Sequence, residues 1–364
     1  MRIGILTHHY VKNFGAFMQA YALMSVIKSK YPEAEVEIID YVVPKHLFNA
    51  TVHYYGFKPT RGDSIKGLFR KIKLLSTHKK YEKKLPRSPR MVDAESINER
   101  GYDLIIVGSD EVWNYNDIAY DSVKFGVGLE SKIISYAASV GGSVGTVDIP
   151  EDVKNGIRTF KNISVRDEET AKVVEFITGI KPQIVMDPVF LKNFKVKCSD
   201  KIKALVEEKP YILIYDCKLT PNQIEKLRKY ADDKGLNILG AGEYRKYYDS
   251  LDTVNIDPFE WAYLFKNAAY VVTGTFHGTS FSVKYNRKFV SFLTEANRVN
   301  KVGYLLTTLG LESHIVMGED EDNLIEVMEK DIEYTKVNEI IDKKVKESKK
   351  YLFESIGDDK NSGA

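Results

Sequence analysis

The sequence has few cysteines, no long apolar run and little net charge. Its 364 residues include only Cys198 and Cys217, which favours free thiols in a reducing compartment over a disulfide framework. No apolar run approaches the ~20 residues that a membrane-spanning helix needs. The formal net charge of +2 does not favour a nucleic-acid-binding protein. Because no Cys/His pair has the spacing of metal ligands, we expect no bound metal.

The first residues predict the compartment. Met1 and Arg2 lead directly into the apolar run Ile3–Leu6, which leaves no room for the charged, apolar and cleavage regions of a signal peptide. We therefore expect a cytoplasmic protein, with peripheral contact to the inner membrane face as its form of membrane association.

Short apolar runs alternate with amphipathic stretches along most of the chain, a pattern typical of parallel sheets flanked by helices. The predicted strands are 2–6, 35–41, 103–107, 132–137, 162–165, 183–186, 211–215, 237–239, 270–273 and 289–292. The predicted helices are 16–30, 150–160, 168–176, 222–233, 258–267, 279–285, 302–309 and 339–353. The length favours two domains. The predicted fold class is α/β, with two Rossmann-like domains (1–190 and 191–364) facing a central cleft that holds the site.

A strongly basic segment, residues 58–90, interrupts this pattern. It contains twelve Lys and Arg residues but only two acidic residues, Asp63 and Glu82. One interpretation is a solvated linker or surface helix, which is what charge runs usually form. The other is a landing surface for a polyanionic or lipid-diphosphate-linked molecule at the inner membrane face.

The segment YVVTGTFHGTSFS, residues 270–282, predicts a buried strand, a tight turn and a helix. His277 lies on the predicted turn, at the carboxyl end of the strand. After Gly278, Thr279 and Ser280 open a predicted helix whose free amides favour an anion. An imidazole beside a bound anion is suited to general-acid catalysis, because histidine titrates near neutral pH. The alternative is that His277 only packs or caps at the turn.

Asp110 also follows an apolar strand, in the segment GSDEVW at residues 108–113. Its carboxylate could accept a proton from a hydroxyl group or orient an acceptor, and Trp113 could stack on a sugar face. The alternative is that Asp110 caps a helix and Trp113 belongs to the core.

The loop 8–15, HHYVKNFG, lacks the Gly-x-Gly-x-x-Gly pattern of a dinucleotide site. This absence argues against a nicotinamide or flavin cofactor. Asn13 and Gly15 offer amide groups to a substrate instead. His8 and His9 are adjacent, so in an extended segment they point in opposite directions and do not readily chelate one metal.

Several segments, taken in order, resemble the polysaccharide pyruvyl transferase family. They are residues 13–23, 108–113, 135–139, 164–168, 187–191 and 258–289. The resemblance extends from the first strand to about Leu311. It implies an architecture similar to that of GT-B glycosyltransferases and a transfer of the enolpyruvyl carbon of phosphoenolpyruvate onto two hydroxyls of a sugar, without a redox cofactor or metal.

The resemblance also implies roles for individual residues. His277 matches the family's catalytic histidine, and Arg166 matches an arginine that binds the donor. As an alternative, Arg166 could be a structural partner of Asp167 or Glu168. Either Arg298 or Lys301 occupies the position of a basic donor ligand. Asp187 is expected to orient a substrate in the same way as Asp110.

Two departures concern Thr275, where some members have arginine, and Ala16, where others have an acidic residue. The acceptor is expected to be a sugar that is free, polymeric or lipid-linked. Two other functions stay open. One is a GT-B glycosyltransferase that uses a nucleotide sugar, and the other is a carbohydrate-binding protein without catalysis.

Overall fold

The computed structural model describes residues 1–11, 13–55, 76–77, 80–142, 145–294, 296–318 and 323–357. These residues form two compact units. The described part of the first unit consists of residues 1–11, 13–55, 82–142, 145–193 and 341–357, and the second is built mainly from residues between 194 and 340. Most of the basic segment, residues 58–75 together with 78 and 79, lies outside the described residues.

A five-stranded parallel sheet forms the centre of the first unit. Its strands are β1 (Arg2–Leu6), β2 (Glu35–Tyr41), β3 (Arg87–Met91), β4 (Leu104–Val107) and β5 (Lys132–Ser135), in the order β3-β2-β1-β4-β5. Two short strands, β6 (Ser164–Val165) and β7 (Gln183–Ile184), pair in parallel beside it. The residues of β4 are all buried, as expected for a parallel strand that is covered on both faces.

The second unit contains a five-stranded parallel sheet of its own. Its strands are β8 (Tyr211–Tyr215), β9 (Asn237–Gly240), β10 (Tyr270–Thr273), β11 (Lys288–Leu293) and β12 (Ile315–Met317), in the order β12-β11-β10-β8-β9. The predicted α/β class with parallel sheets is therefore confirmed.

Helices connect the parallel strands. In the first unit they are α1 (Phe14–Lys30), α2 (Pro44–Tyr55), α3 (Ala94–Glu99), α4 (Glu151–Ile157), α5 (Glu168–Thr178) and α6 (Pro188–Leu191). The others are α7 (Asp200–Glu208), α8 (Pro221–Asp233), α9 (Pro258–Asn267), α10 (Phe276–Lys284), α11 (Ala296–Leu309), α12 (Leu324–Glu329) and α13 (Tyr334–Gly357). Short 3-10 helices lie at Ser122–Phe125 and Glu312–His314. No described helix is both long enough and apolar enough to cross a bilayer.

Each five-stranded sheet reverses its strand order once. In the first sheet the reversal lies between β1 and β4, and in the second it lies between β8 and β10. Helices that leave the two strands at such a reversal run over opposite faces of the sheet. They leave a crevice at the carboxyl ends of those strands, where open α/β sheets bind ligands.

Strand β3 lies inside the segment that the sequence analysis treated as a basic insertion. It pairs in parallel with β2 and forms one edge of the first sheet. Its sequence, RSPRM, has two arginines and a proline, which an edge strand tolerates and often uses to discourage further pairing. The sequence did not predict β3, because an edge strand can form without an apolar run.

The predicted domain division differs from the observed one at the C-terminal end of the chain. The predicted boundary at 190 lies close to the division after Asn193, but residues 341–357 belong to the first unit rather than the second. Leu352 and Ile356 of α13 are buried. The hydroxyl of Tyr351 donates to the carbonyl of Ser135 at 3.1 Å. The many charges of α13 concealed its apolar face from the sequence analysis.

We expect Ser348→Ala to destabilise the first unit. The Ser348 hydroxyl accepts a hydrogen bond from the buried Met186 amide at 2.9 Å, so its removal leaves a buried N–H group without that acceptor. Such a loss costs about 1–3 kcal/mol, to be measured by urea denaturation. Ser25→Ala is the matched control, because the Ser25 hydroxyl donates to a carbonyl of its own helix. Equal stability of the two variants would contradict the prediction.

Candidate functional site

His277 lies in the first turn of α10, immediately after β10. The side chain of Thr275 caps this helix, because its hydroxyl oxygen accepts a hydrogen bond from the Gly278 amide at 3.0 Å. A Cβ at Gly278 would overlap the Thr273 hydroxyl, so only glycine fits this first turn. His277 is 7% exposed and its ring contacts Phe276 edge to face.

The predicted helix start at residue 279 was wrong. The Thr279 amide donates to the Thr275 carbonyl at 3.0 Å, which is an intrahelical bond, so this amide is not one of the free groups of the helix start. The helix begins at Phe276 instead. The sequence predicted a later start because a glycine after an apolar strand, here Gly278, favours a turn.

Arg298 is attached to the same turn from α11. One of its amino groups, Nη1, donates to the carbonyl of Gly274 at 2.8 Å and lies 3.3 Å from a carboxylate oxygen of Asp216. The guanidinium is therefore held by residues that follow two different strands, β10 and β8, next to the loop that leads to His277. Lys301, the other predicted donor ligand, is 7% exposed.

Arg166 forms the centre of a charged group in the first unit. Its Nη1 donates to Asp187 Oδ2 at 3.0 Å, and its Nη2 lies 3.5 Å from Asp110 Oδ1. The side chain is 3% exposed. Burial opposes the charge of Arg166, but the carboxylates of Asp110 and Asp187 outweigh burial and raise the pKa of the guanidinium. These two ion pairs join Arg166 to residues far from it in the chain, and the charge of Asp167 also favours the guanidinium.

Asp110 takes a left-handed backbone conformation with φ of 82°, and its side chain is 16% exposed. The residues after it form turns rather than a helix, so the alternative that Asp110 caps a helix is wrong. Trp113 is fully buried, and its indole N–H donates to the Lys124 carbonyl at 3.0 Å. Trp113 is therefore a core residue, and its predicted stacking on a sugar is wrong.

Asn13 and Gly15 lie at the start of α1. The side-chain oxygen of Asn13 accepts from the Ala16 amide at 3.2 Å and caps the helix. Gly15 is buried in the first turn. The side-chain oxygen of Asn13 thus has a structural partner. The predicted substrate contact would have to be made by the side-chain NH₂ group.

Two of the predicted residues, Asp110 and His277, lie at the places where strand order reverses. In the first unit Asp110 follows β4, beside His8 at the end of the neighbouring strand β1. In the second unit His277 follows β10, and Asp216 follows the neighbouring strand β8. Arg166 and Asp187 instead follow the short strands β6 and β7. The described residues contain no group of three or more His, Cys, Asp or Glu side chains that could hold a metal.

A buried polar cluster at the first reversal was missed by the sequence analysis. The Lys124 ammonium donates to the Ala119 carbonyl at 2.8 Å and lies 3.1 Å from His8 Nε2. The ring of His46 lies 5.0 Å from that of His8 and bonds to the Tyr10 hydroxyl at 3.0 Å. A charged lysine can only donate, so His8 accepts at Nε2 and carries its proton on Nδ1. Nothing in the local pattern Ser122–Phe125 marks its lysine as buried.

Burial perturbs the titration of this cluster. It lowers the pKa of Lys124 to about 8, although Asp121 and Asp117 act in the opposite direction. Burial and the charge of Lys124 lower the pKa of His8 well below its ordinary value. For Lys124, the shift from 10.5 corresponds to a penalty of about 3 kcal/mol on the charged form. Strongly perturbed groups of this kind are found most often at functional sites.

The buried charge of Lys124 predicts an unusual dependence of stability on pH. Because the folded pKa is depressed, the penalty is fully present below about pH 8 and disappears as the pH rises to 10.5. The free energy of unfolding of the wild type should therefore rise relative to that of Lys124→Met by about 2–3 kcal/mol over this range. Urea denaturation at several pH values measures it.

The matched control for this prediction is Lys181→Met, which removes an exposed lysine of the same unit. Its stability should follow that of the wild type at every pH. Parallel curves for wild type and Lys124→Met would contradict the prediction.

A family model connects this geometry to known proteins. The model described as polysaccharide pyruvyl transferase matches residues 13–295. The chain belongs to the polysaccharide pyruvyl transferase family. The resemblance seen in the sequence is confirmed, and the chain is a polysaccharide-modifying transferase. No curated protein matches the chain.

Solved structures with a similar fold are GT-B-type glycosyltransferases and epimerases. The UDP-bound MnaA of S. aureus has a TM-score of 0.53 at 10% identity, over 94% of this chain and 91% of that one. UGT89C1 of Arabidopsis thaliana has a TM-score of 0.52 at 12% identity, over 96% and 98%. The UDP-GlcNAc 2-epimerase of Methanocaldococcus jannaschii has a TM-score of 0.51 at 12% identity, over 91% and 92%. At such low identity the likeness establishes the GT-B-like fold alone.

Proposed function

We propose that this pyruvyl transferase family member transfers pyruvate from phosphoenolpyruvate to two hydroxyls of a sugar, as a ketal. The observation that carries the proposal is the position of His277. It occupies the first turn of α10, shortly after β10, and Arg298 of α11 bonds to the carbonyl of Gly274 in the loop between them. A proton donor with a cation bonded to the loop before it suits a donor that carries a carboxylate and a phosphate.

The proposed reaction begins with protonation of the donor. His277 gives a proton to the methylene carbon, which becomes a methyl group, and the adjacent carbon becomes an oxocarbenium-like centre. One sugar hydroxyl attacks that centre, and the bond from the centre to the phosphate oxygen breaks. The second hydroxyl then closes the ketal. Of the two hydroxyl protons, one restores His277 and the other leaves with inorganic phosphate, so protons and electron pairs balance.

The other predicted residues divide between the two substrates. Arg298, Lys301 and Arg166 are proposed donor contacts. Gly278 and Thr279 are not retained as anion ligands, because their amides already donate to Thr275.

Asp110 is proposed to accept a proton from a sugar hydroxyl, since it is the most exposed member of the Arg166 group. Asn13 and Gly15 stay predicted contacts for substrate. The proposed chemistry uses no cofactor and no metal, because the enol ester itself carries the activated carbon.

We expect His277→Gln to lose ~10²-fold or more in rate, because general-acid catalysis contributes roughly that much. Release of inorganic phosphate from phosphoenolpyruvate, with mass analysis of the glycan product, measures the loss. His314→Asn is the matched control in the same unit, since an asparagine can keep the bond from His314 Nδ1 to the Phe289 carbonyl.

The same assay separates the alternatives. Release of a nucleoside diphosphate from a sugar nucleotide would instead favour a glycosyltransferase. Full glycan binding by His277→Gln, with no turnover by the wild type, would favour a binding protein without catalysis.

A cytoplasmic location with peripheral attachment to the inner membrane face is also proposed. The support is the sequence alone, namely the excess of Lys and Arg between residues 58 and 90. Basic segments of this kind gain about 1 kcal/mol per Lys or Arg near an anionic surface.

Reversal of four of these charges, with Arg61, Lys66, Arg70 and Lys73 changed to Glu, should abolish binding to anionic vesicles. Turnover of a short soluble acceptor should not change, because only attachment is lost. Sedimentation with vesicles measures the binding. Four Lys→Glu changes at Lys201, Lys203, Lys226 and Lys229 provide a control of equal charge. Vesicle binding that survives the first set would contradict a basic landing surface.

A further inference from the structure

Asp187 lies at the start of α6 and is bound by donors on both carboxylate oxygens. Oδ1 accepts from the Val189 amide at 3.1 Å. Oδ2 accepts from Arg166 Nη1 at 3.0 Å and from the Ser109 hydroxyl at 3.2 Å. The side chain of Asp187 is 0% exposed. A carboxylate held in this way is poorly placed to receive a substrate.

Ser109 is itself fixed by a series of hydrogen bonds across the first strand reversal. The carbonyl of Ser109 accepts from the Thr7 hydroxyl at 2.9 Å. The oxygen of that hydroxyl accepts from the Gln19 side-chain amide at 3.0 Å. Ser109 and Gln19 are both fully buried. The series joins α1, the end of β1 and the end of β4, so the position of the Ser109 hydroxyl is set by the sheet itself.

The consequence for Arg166 is a defined direction. One amino group of its guanidinium faces the buried Asp187 and the other faces Asp110. A free arginine side chain loses rotamer entropy when it binds a ligand. Here the fold has already restricted that freedom, so a ligand of Arg166 would not have to order it.

We propose that Asp187 and Ser109 are positioning residues, which fix the direction in which Arg166 presents its guanidinium and do not themselves contact substrate. The proposal rests on the proposed function, because it assumes that Arg166 binds phosphoenolpyruvate. It gives Asp187 a different role from the substrate contact expected from the sequence. Ser109 had no assigned role before.

Asp187→Asn tests the proposal with a side chain of the same size. The retained oxygen can still accept from the Val189 amide. The new NH₂ group would replace Oδ2 and would face the Ser109 hydroxyl and Arg166, two donors that need an acceptor there. Arg166 then loses its fixed partner. We expect the Kd for phosphoenolpyruvate, measured by titration calorimetry, to rise about tenfold or more. Ser109→Ala removes one support only, so its Kd should rise about two- to fivefold.

Asp249→Asn is the matched control. Asp249 is also an aspartate that accepts from an arginine and from a backbone amide, at 3.1 Å from Arg228 Nη1 and at 2.6 Å from the Ile238 amide. Its loss should lower stability without changing the Kd for the donor. If Asp249→Asn weakens donor binding as much as Asp187→Asn does, general destabilisation explains the effect and the proposal fails.

A double-mutant cycle isolates the route of the effect. If Asp187 acts through Arg166, Asp187→Asn should change the Kd no further in an Arg166→Met background. Two effects that add in full, or an Arg166→Met variant with wild-type affinity, would overturn the proposal. Absence of phosphoenolpyruvate binding by the folded wild type would overturn the proposed function itself, and this outcome is distinct from the other two.

Discussion

In each five-stranded sheet the chain adds strands first on one side of the sheet's first strand and then on the other. This reversal of strand order determines where Asp110 and His277 lie. A parallel strand delivers its next residue to the carboxyl edge of the sheet. Where the strand order reverses, two such residues become neighbours while their helices diverge. His8 and Asp110 are neighbours for this reason in the first sheet, as are Asp216 and the loop before His277 in the second.

These edges hold charges at a cost to stability. Arg166 is almost fully buried, and its charge is stabilised by two carboxylates. Lys124 has no comparable partner, since among the described residues no carboxylate oxygen lies within 4.0 Å of its ammonium, and its pKa falls to about 8. Buried charges that lower stability are typical of sites kept for function. The two buried cations therefore differ. Carboxylates offset the burial of the Arg166 charge, whereas burial of the Lys124 charge is not offset in this way.

The second unit shows how this chain replaces a residue that some relatives have. Thr275 stands where some family members have arginine, and here its hydroxyl caps α10 instead of binding an anion. A cation still reaches the turn, because Arg298 comes from α11 and bonds to the Gly274 carbonyl. In our proposal Arg298 supplies the charge that position 275 lacks.

The sequence by itself determined the fold class, the family and the position of His277, Asp110 and Arg166 at strand ends. Those properties depend on local pattern and on segments in fixed order, which one chain displays directly. Tertiary structure decided that Trp113 is core, that α10 begins at Phe276, and that β3 forms an edge without an apolar pattern. It also decided that Arg166 pairs with Asp110 and Asp187, and that Lys124 lies beside His8. Such pairings join residues far apart in the chain, and they exist only after strand order and burial have brought the residues together.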